Sequence, residues 1–294
     1  MTESDYAGAP GTGSELVQGI QIVTTRVLAE LDRVCRELDI PYSVYGGTAI
    51  GAIRHKGFIP WDDDADTCML REDYERFLEE APRVLGPGFV LLKPGSPPDY
   101  PQTFAVLGCS GTEFVSELAK DRPFRMPIGV DIFPLDVLPE KRRAYQRQSL
   151  RSWILGRLLF LRGIPNAAPP LPAPLKQTAT GVMYAVHWTL RVLHLRESTL
   201  QRCWERNARR FEGSGGELFG DFSTRDPDHW SISRGEFFPL EDVPFEDITV
   251  RISSAYDVVL RRMYGDYMQL PPVDERVNHR PFHIDFGDHD PRLS

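Results

Sequence analysis

Asp62, Asp63, Asp64 and Asp66 crowd together directly after Trp61. Along an extended strand, residues two apart share a face, so Asp64 and Asp66 project together. Asp62 joins them if the strand begins early. Carboxylates gathered this closely repel one another, and some take up protons unless a cation neutralises them. Oxygen ligands of this kind suit a hard divalent ion, Mg²⁺ or Mn²⁺. The chemistry such an ion favours is transfer at phosphorus, where it offsets charge on the leaving group. For four aspartates alone, an acidic turn in solvent is an equally plain reading, so the surroundings decide.

Upstream stands Gly46-Gly47-Thr48, read as a turn between a strand and a short helix that Thr48 caps. Glycines there let backbone approach a ligand closely, and a helix start offers N–H groups to phosphate. Arg54, His55 and Lys56 follow within that helix and add positive charge. A Gly-Gly pair by itself marks an ordinary turn. A glycine turn, a helix and then an Asp-x-Asp strand resemble the active-site layout of nucleotidyltransferase folds. That layout needs a third carboxylate on a neighbouring strand, and Asp131 stands in the apolar run from Ile128 to Leu135. A carboxylate buried there is costly unless it is paired or metal-bound. Asp136, next along, reads as a turn or capping residue. Near the C-terminus Arg276, Asn278 and His279 follow a turn. They read either as surface residues or as site groups, with Arg276 or His279 near the phosphates or the acceptor of a transfer reaction and His279 also a weak general-base candidate.

The runs GGTAIGAIRHKGFIPWDDDAD, VDIFPLD and YGDYMQLPPVDERVNH closely resemble the LicD family, in the family's order, over roughly residues 40–280. That family includes phosphocholine transferases and, more distantly, fukutin-related proteins. The resemblance implies a nucleotidyltransferase-like fold, a divalent metal and a CDP-activated donor. It implies transfer of a phospho-alcohol, such as phosphocholine or phosphoribitol, to a sugar hydroxyl of a cell-surface glycan, with release of CMP. Asp64 and Asp66 match the paired metal ligands and Asp131 the third acid. Thr67 stands where the family more usually has an apolar residue. A nucleotidyltransferase moving the nucleotide itself would use the same metal site and is the alternative reading.

These residues need elements to hold them. Leu16, Ile20, Val23, Val27, Leu31, Val34 and Leu38 recur at helical spacing. A strand is expected at 42–45, a helix at 48–55, a strand at 64–70 and a helix at 73–85. Strands follow at 89–92, 103–107, 113–118 and 128–133. Residues 140–211 change to two or three helices rich in Arg, Leu and Trp, broken by prolines at 165–174. The plainer reading of those helices is packing with solvated arginines; the sharper one is a surface meeting a lipid-linked acceptor or a membrane face. Strand-like pieces return at 217–222 and 237–251, and a last helix at 255–264 closes on Gly265. The fold class is therefore α+β, a mixed sheet with flanking helices plus an inserted helical region. By parts, 1–13 is a disordered tail, 14–139 the catalytic core, 140–212 the helical insertion on the acceptor side, 213–281 the completion of the core and 282–294 a tail.

Composition bounds the rest. The 294 residues are 41% hydrophobic and 26% charged, ordinary for a globular protein. A net charge of −8 argues against bulk nucleic-acid binding, which shows a basic excess. Cys35, Cys68, Cys109 and Cys203 form no CxxC pair and read as small core residues of a reducing compartment. Met1 to Ser14 hold no apolar run, so no secretory signal is expected. The expected address is the cytoplasm, with peripheral contact at the inner membrane face on the sharper reading of 140–212.

Overall fold

A computed structural model describes residues 12–164, 172, 175–272, 276 and 281–290. Helix α1 (Thr12–Glu37) turns Ile20, Val23, Val27, Leu28, Leu31 and Val34 inward, each essentially excluded from solvent. Burying one such side chain stabilises by about 1.5–3 kcal/mol, which makes this face the anchor of the main core. Strand β1 (Ser43–Val44) follows, then α2 (Gly46–Arg54), β2 (Asp66–Leu70) and α3 (Arg71–Glu80). Strands β3 (Phe89–Leu92), β4 (Ala105–Cys109), β5 (Glu113–Ser116) and β6 (Gly129–Val137) complete the first half.

The main sheet runs β1-β2-β6-β4-β3. Only the central pair β2–β6 is parallel; it sets Asp66 beside Asp131 and Cys68 beside Phe133. The second half of β6 carries the sheet on to β7 (Leu218–Gly220) and β8 (Ile232–Ser233). Short helix α7 (Arg234–Phe237) leads to a hairpin of β9 (Leu240–Phe245) and β10 (Ile248–Ser253), which packs on α1 and β1. Helix α8 (Tyr256–Tyr264) ends at Gly265, whose φ of +68° suits glycine alone.

Between β6 and β7 lie α4 (Arg142–Gly163), α5 (Leu175–Val192) and α6 (Glu197–Ala208). Helix α6 is the seam with the sheet. Its buried Gln201 donates to Tyr100 O and Gln102 O, and Trp204 packs with Leu138 and Phe222. Helix α4 locks onto α6 through Gln148, whose amide donates to Asn207 O and Ala208 O. Helix α5 buries only His187 and Leu190, against α4, where His187 Nδ1 meets Leu161 O.

The α+β class and most elements stand as the periodicities predict, with boundary shifts of a few residues. Four expectations need correction. Helix α2 begins at Gly46 with Tyr45 as its N-cap, so Thr48 lies inside the helix and caps nothing. Asp136 is no turn residue: it is buried within β6 and takes a two-pronged ion pair from Arg71, Nε–Oδ1 2.8 Å and Nη2–Oδ2 2.6 Å. Residues Pro281–Asp285 form a strand, β11, antiparallel to β5. No local pattern shows it, because a distant partner supplies its hydrogen bonds. Cys203 is exposed on α6, whereas the other three cysteines are buried. The expected tail at 1–13 falls mostly outside the described residues; Thr12 and Gly13 belong to α1.

Candidate active site

Asp66 opens β2 and Asp131 lies beside it on β6, so their side chains leave one face of the sheet as neighbours. The parallel ladder reaches one residue further, where Asp131 N donates to Ala65 O at 2.9 Å. Thr67 ties the same strands together by donating from Oγ1 to Asp131 O at 3.0 Å. A hydroxyl at 67 thus has a structural task that an apolar residue would not perform. Asp64 precedes the strand rather than opening it, so strand alternation does not govern its direction. Its charge nevertheless bears on Asp66.

Burial pushes the Asp66 carboxyl well above the usual carboxylate range, and Asp64, Asp131, Asp62 and Asp221 push it further, in that order. Asp62, Asp63 and Asp64 form a second, tighter grouping, with one oxygen of each within 4.8 Å of the others. Asp63 is buried. The oxygens that converge are those of Asp62, Asp63 and Asp64, while Asp66 and Asp131 stand outside that tight group and Asp66 feels the charge of Asp64 and Asp62. Hard donors of this kind suit a divalent cation of the Mg²⁺ or Mn²⁺ type.

The glycine turn lies against these acids. Gly46 has a φ of +55°, and a methyl group built on it would lie 3.3 Å from Asp66 Oδ2. On Gly47 it would lie 2.9 Å from Asp62 Oδ2. The two glycines therefore make room for carboxylates as well as shaping the turn. Thr48 is buried, and its Oγ1 accepts from Asp66 N at 2.8 Å, which fixes the start of β2.

The cationic residues divide. Arg54 points to the C-terminal segment, where Nη1 donates to Tyr267 O and Nε to His55 Nε2. Arg276 lies over the Trp61 ring at 4.8 Å and donates from Nε to Pro271 O. Burial lowers the Arg54 pKa, and the Arg276 charge adds to that; burial and then Arg54 lower His55. Arg54, His55 and Arg276 thus form one group, with Arg276 resting on Trp61. Lys56 is exposed, with its backbone carbonyl accepting from Glu246 N. His279 and Asn278 fall outside the described residues.

Three residues of the site escaped the sequence reading. Asp221, after β7, is buried and pushed up to about 6 by that burial, although Ser223 donates to both of its oxygens. Its signal was the same as Asp131's, an acid between Gly220 and Phe222 in an apolar stretch. The Tyr264 hydroxyl would lie 3.5 Å from a methyl on Gly46, and its pKa is raised by burial and then by Asp66. Its ring meets Trp230 edge-on at 5.3 Å. Arg122 lines a cavity of about 220 Å³ that reaches Asp64 and Asp131. It is 8% exposed, its Nε has no hydrogen-bond partner among the described residues, and burial lowers it to about 10. No sequence pattern distinguished it from a surface arginine.

Residues 39–90 match a family model described as LicD/FKTN/FKRP, nucleotidyltransferase domain. The chain is 52% identical over 59 residues to the lipopolysaccharide cholinephosphotransferase LicD of Haemophilus influenzae, a stretch covering 20% of this chain and 22% of that protein. It is 39% identical over 51 residues to an uncharacterized protein of Rickettsia typhi, covering 17% and 16%. The matches thus span about a fifth of these relatives' lengths. The LicD resemblance stands over residues 39–90, the stretch that holds the glycine turn, the Arg54–Lys56 cluster and Asp62 to Asp66.

Proposed function

We propose that this protein is a metal-dependent phosphotransferase of the LicD type on a nucleotidyltransferase-like fold. It moves a phospho-alcohol from a CDP-activated donor to a sugar hydroxyl of a cell-surface glycan and releases CMP. The observation that carries the reading is the pairing of Asp66 with Asp131 on parallel strands, amid carboxylates that hold Asp66 far above its ordinary pKa.

Asp64, Asp66 and Asp131 would hold Mg²⁺ or Mn²⁺, with Asp62 beside them. The ion supplies neutralising charge for the donor's diphosphate and the departing CMP. Thr48 and Thr67 keep the acids in register, while Gly46 and Gly47 leave room for them. Arg54, His55 and Arg276 face the phosphates, with Lys56 at the rim and His279 assigned to the same side from sequence. The acceptor oxygen forms its bond to phosphorus as the bond to CMP oxygen breaks, and the hydroxyl proton passes to Asp131. Positioning and electrostatics supply most of the rate gain. Trp230 and Tyr264 offer aromatic surface beside the acids, which suits a quaternary ammonium such as choline.

The test is incubation with CDP-choline, CDP-ribitol and CDP-glycerol plus Mg²⁺, and separately with CTP, with and without a sugar acceptor. CMP release from a CDP-alcohol is the expected result. Pyrophosphate release from CTP with no CMP from any CDP-alcohol would assign nucleotidyl transfer instead.

A further inference from the structure

We infer that the outer face of α5, with the adjoining side of α4, docks on an anionic lipid bilayer. Two independent observations carry this. The first is exposed apolar surface on α5 and the turn after it: Val182 is 59% exposed, Trp188 46%, Val192 70% and, in the turn, Leu193 63%, with Ile154 of α4 also exposed. Apolar residues scattered singly on a surface mean little, but a helix that leaves this many uncovered marks an interaction face.

The second is charge. From Lys141 to Arg196 the sequence holds ten Lys and Arg and no Asp or Glu, in a chain whose net charge is −8. Arg151, Arg157, Arg191 and Arg196 are exposed, and none pairs with a carboxylate among the described residues, whereas the half-buried Arg162 pairs with Glu197 at 3.2 Å. Arg157 and Arg191 lie over Trp153 and Trp188, each 5.8 Å from the ring. Elsewhere in the molecule the ion-paired arginines are many, among them Arg33, Arg36, Arg71 and Arg234.

Chemistry selects the occupant. A second copy docking face to face would bring like charges together, because a two-fold interface sets the same patch on both sides. An anionic bilayer answers both features at once: acyl boundary for Val192 and Leu193, headgroup phosphate for the arginines, and the interface depth that Trp and Tyr favour. Among the described residues no helix is long and apolar enough to cross a membrane, so α5 lies in the plane of the surface. A cavity under α4, lined by Trp153, Arg157 and Phe160, shares Arg122 with the cavity at Asp64 and Asp131. One side chain therefore borders both the acids and the docking helices.

The test needs no donor and does not depend on the phosphotransferase reading. Full-length protein is floated with vesicles of phosphatidylcholine alone or with added phosphatidylglycerol, at low and high salt. Wild type should float with the anionic vesicles, less so as salt rises, and remain behind with the zwitterionic ones. Replacing Arg151, Arg157 and Arg191 together with Gln should weaken binding roughly a hundred-fold, whereas replacing the same three with Lys should largely preserve it. The vesicle-induced blue shift of tryptophan emission should vanish in Trp188→Phe. Failure of wild type to float at low salt would overturn the inference, as would equal binding by the Gln variant. So would a stable dimer in solution that shields Trp188.

Discussion

Around the sheet arginines meet carboxylates; on α4 and α5 Arg157 and Arg191 meet solvent and aromatic rings, although Arg162 of α4 pairs with Glu197. Arg71 is buried with Asp136 in a two-pronged pair, while Arg157 and Arg191 lie over tryptophans at the surface. The acids crowd in the opposite sense at the ends of β2 and β6, where Asp66 is forced toward its neutral form. One molecule thus carries concentrated negative charge at the sheet and concentrated positive charge on the outer helices. Neither concentration helps the isolated chain fold, since like charges at close range cost stability. On the two proposals, a partner of opposite sign would relieve each: a cation at the sheet and an anionic surface at the helices.

The largest expected effect lies at the sheet. Asp66→Asn or Asp131→Asn should lower turnover by roughly three orders of magnitude or more, because a charged ligand leaves a site that works by charge. The same Asp66→Asn change should leave the melting temperature of the metal-free protein unchanged or higher, since it removes repulsion. A substantial fall in that temperature would make Asp66 a structural acid. Next comes the buried pair: Arg71→Gln should cost about 3–5 kcal/mol in denaturant unfolding, the usual loss when one partner of a buried ion pair is removed.

A pH titration sharpens the contrast further. Asp221 is held at about 6 by burial, and Asp73 at about 6 by burial and then Glu72. Both folded values lie above the unfolded one, near 4. The folded state therefore keeps protons that the unfolded state releases, and stability falls as pH rises from about 4 to 6. Asp221→Asn should flatten that fall in EDTA, by about 3 kcal/mol at most. An unchanged slope would place the Asp221 titration elsewhere.

Smaller effects belong to the helical side. Arg122→Gln removes a buried cation whose Nε has no hydrogen-bond partner among the described residues, so stability should hold while KM rises about ten-fold, or 1.4 kcal/mol. A fall in stability with unchanged KM would make Arg122 a packing residue. Smallest of all, Arg151→Gln and Arg157→Gln should shift unfolding by less than about 0.5 kcal/mol, because these side chains pair with no carboxylate among the described residues. A larger loss would show that the outer helices need their arginines for folding.

Local signals were legible in the sequence and distant ones were not. The apolar spacing of α1, the strand-turn-helix at Ser43 to Arg54 and the run at β6 all follow from side-chain period and turn residues. The Asp66–Asp131 pairing could be anticipated because an acid inside an apolar strand needs a reason. Asp136 looked like a turn residue because its partner, Arg71, lies far away in sequence. Asp221, Tyr264 and Arg122 reach the site through β7, α8 and the loop before β6, and only the closed fold brings them there. The strand at Pro281–Asp285 exists only because β5 offers an edge. Thr48 was assigned a cap by its type, whereas the structure uses its oxygen to receive Asp66 N.

On the proposed function, the acids at the ends of β2 and β6 form a metal site with Asp66 at its heart. Magnesium titration by calorimetry, in buffers of different ionisation enthalpy, tests it most directly. Because burial and neighbouring acids push the Asp66 carboxyl upward, metal binding should pull it back down and release protons, and the measured heat should vary with the buffer. Wild type is predicted to bind Mg²⁺ with net proton release, and Asp66→Asn to bind weakly with no such release. Absence of binding by wild type, or identical buffer-dependent heats from the Asp66→Asn protein, would contradict the account.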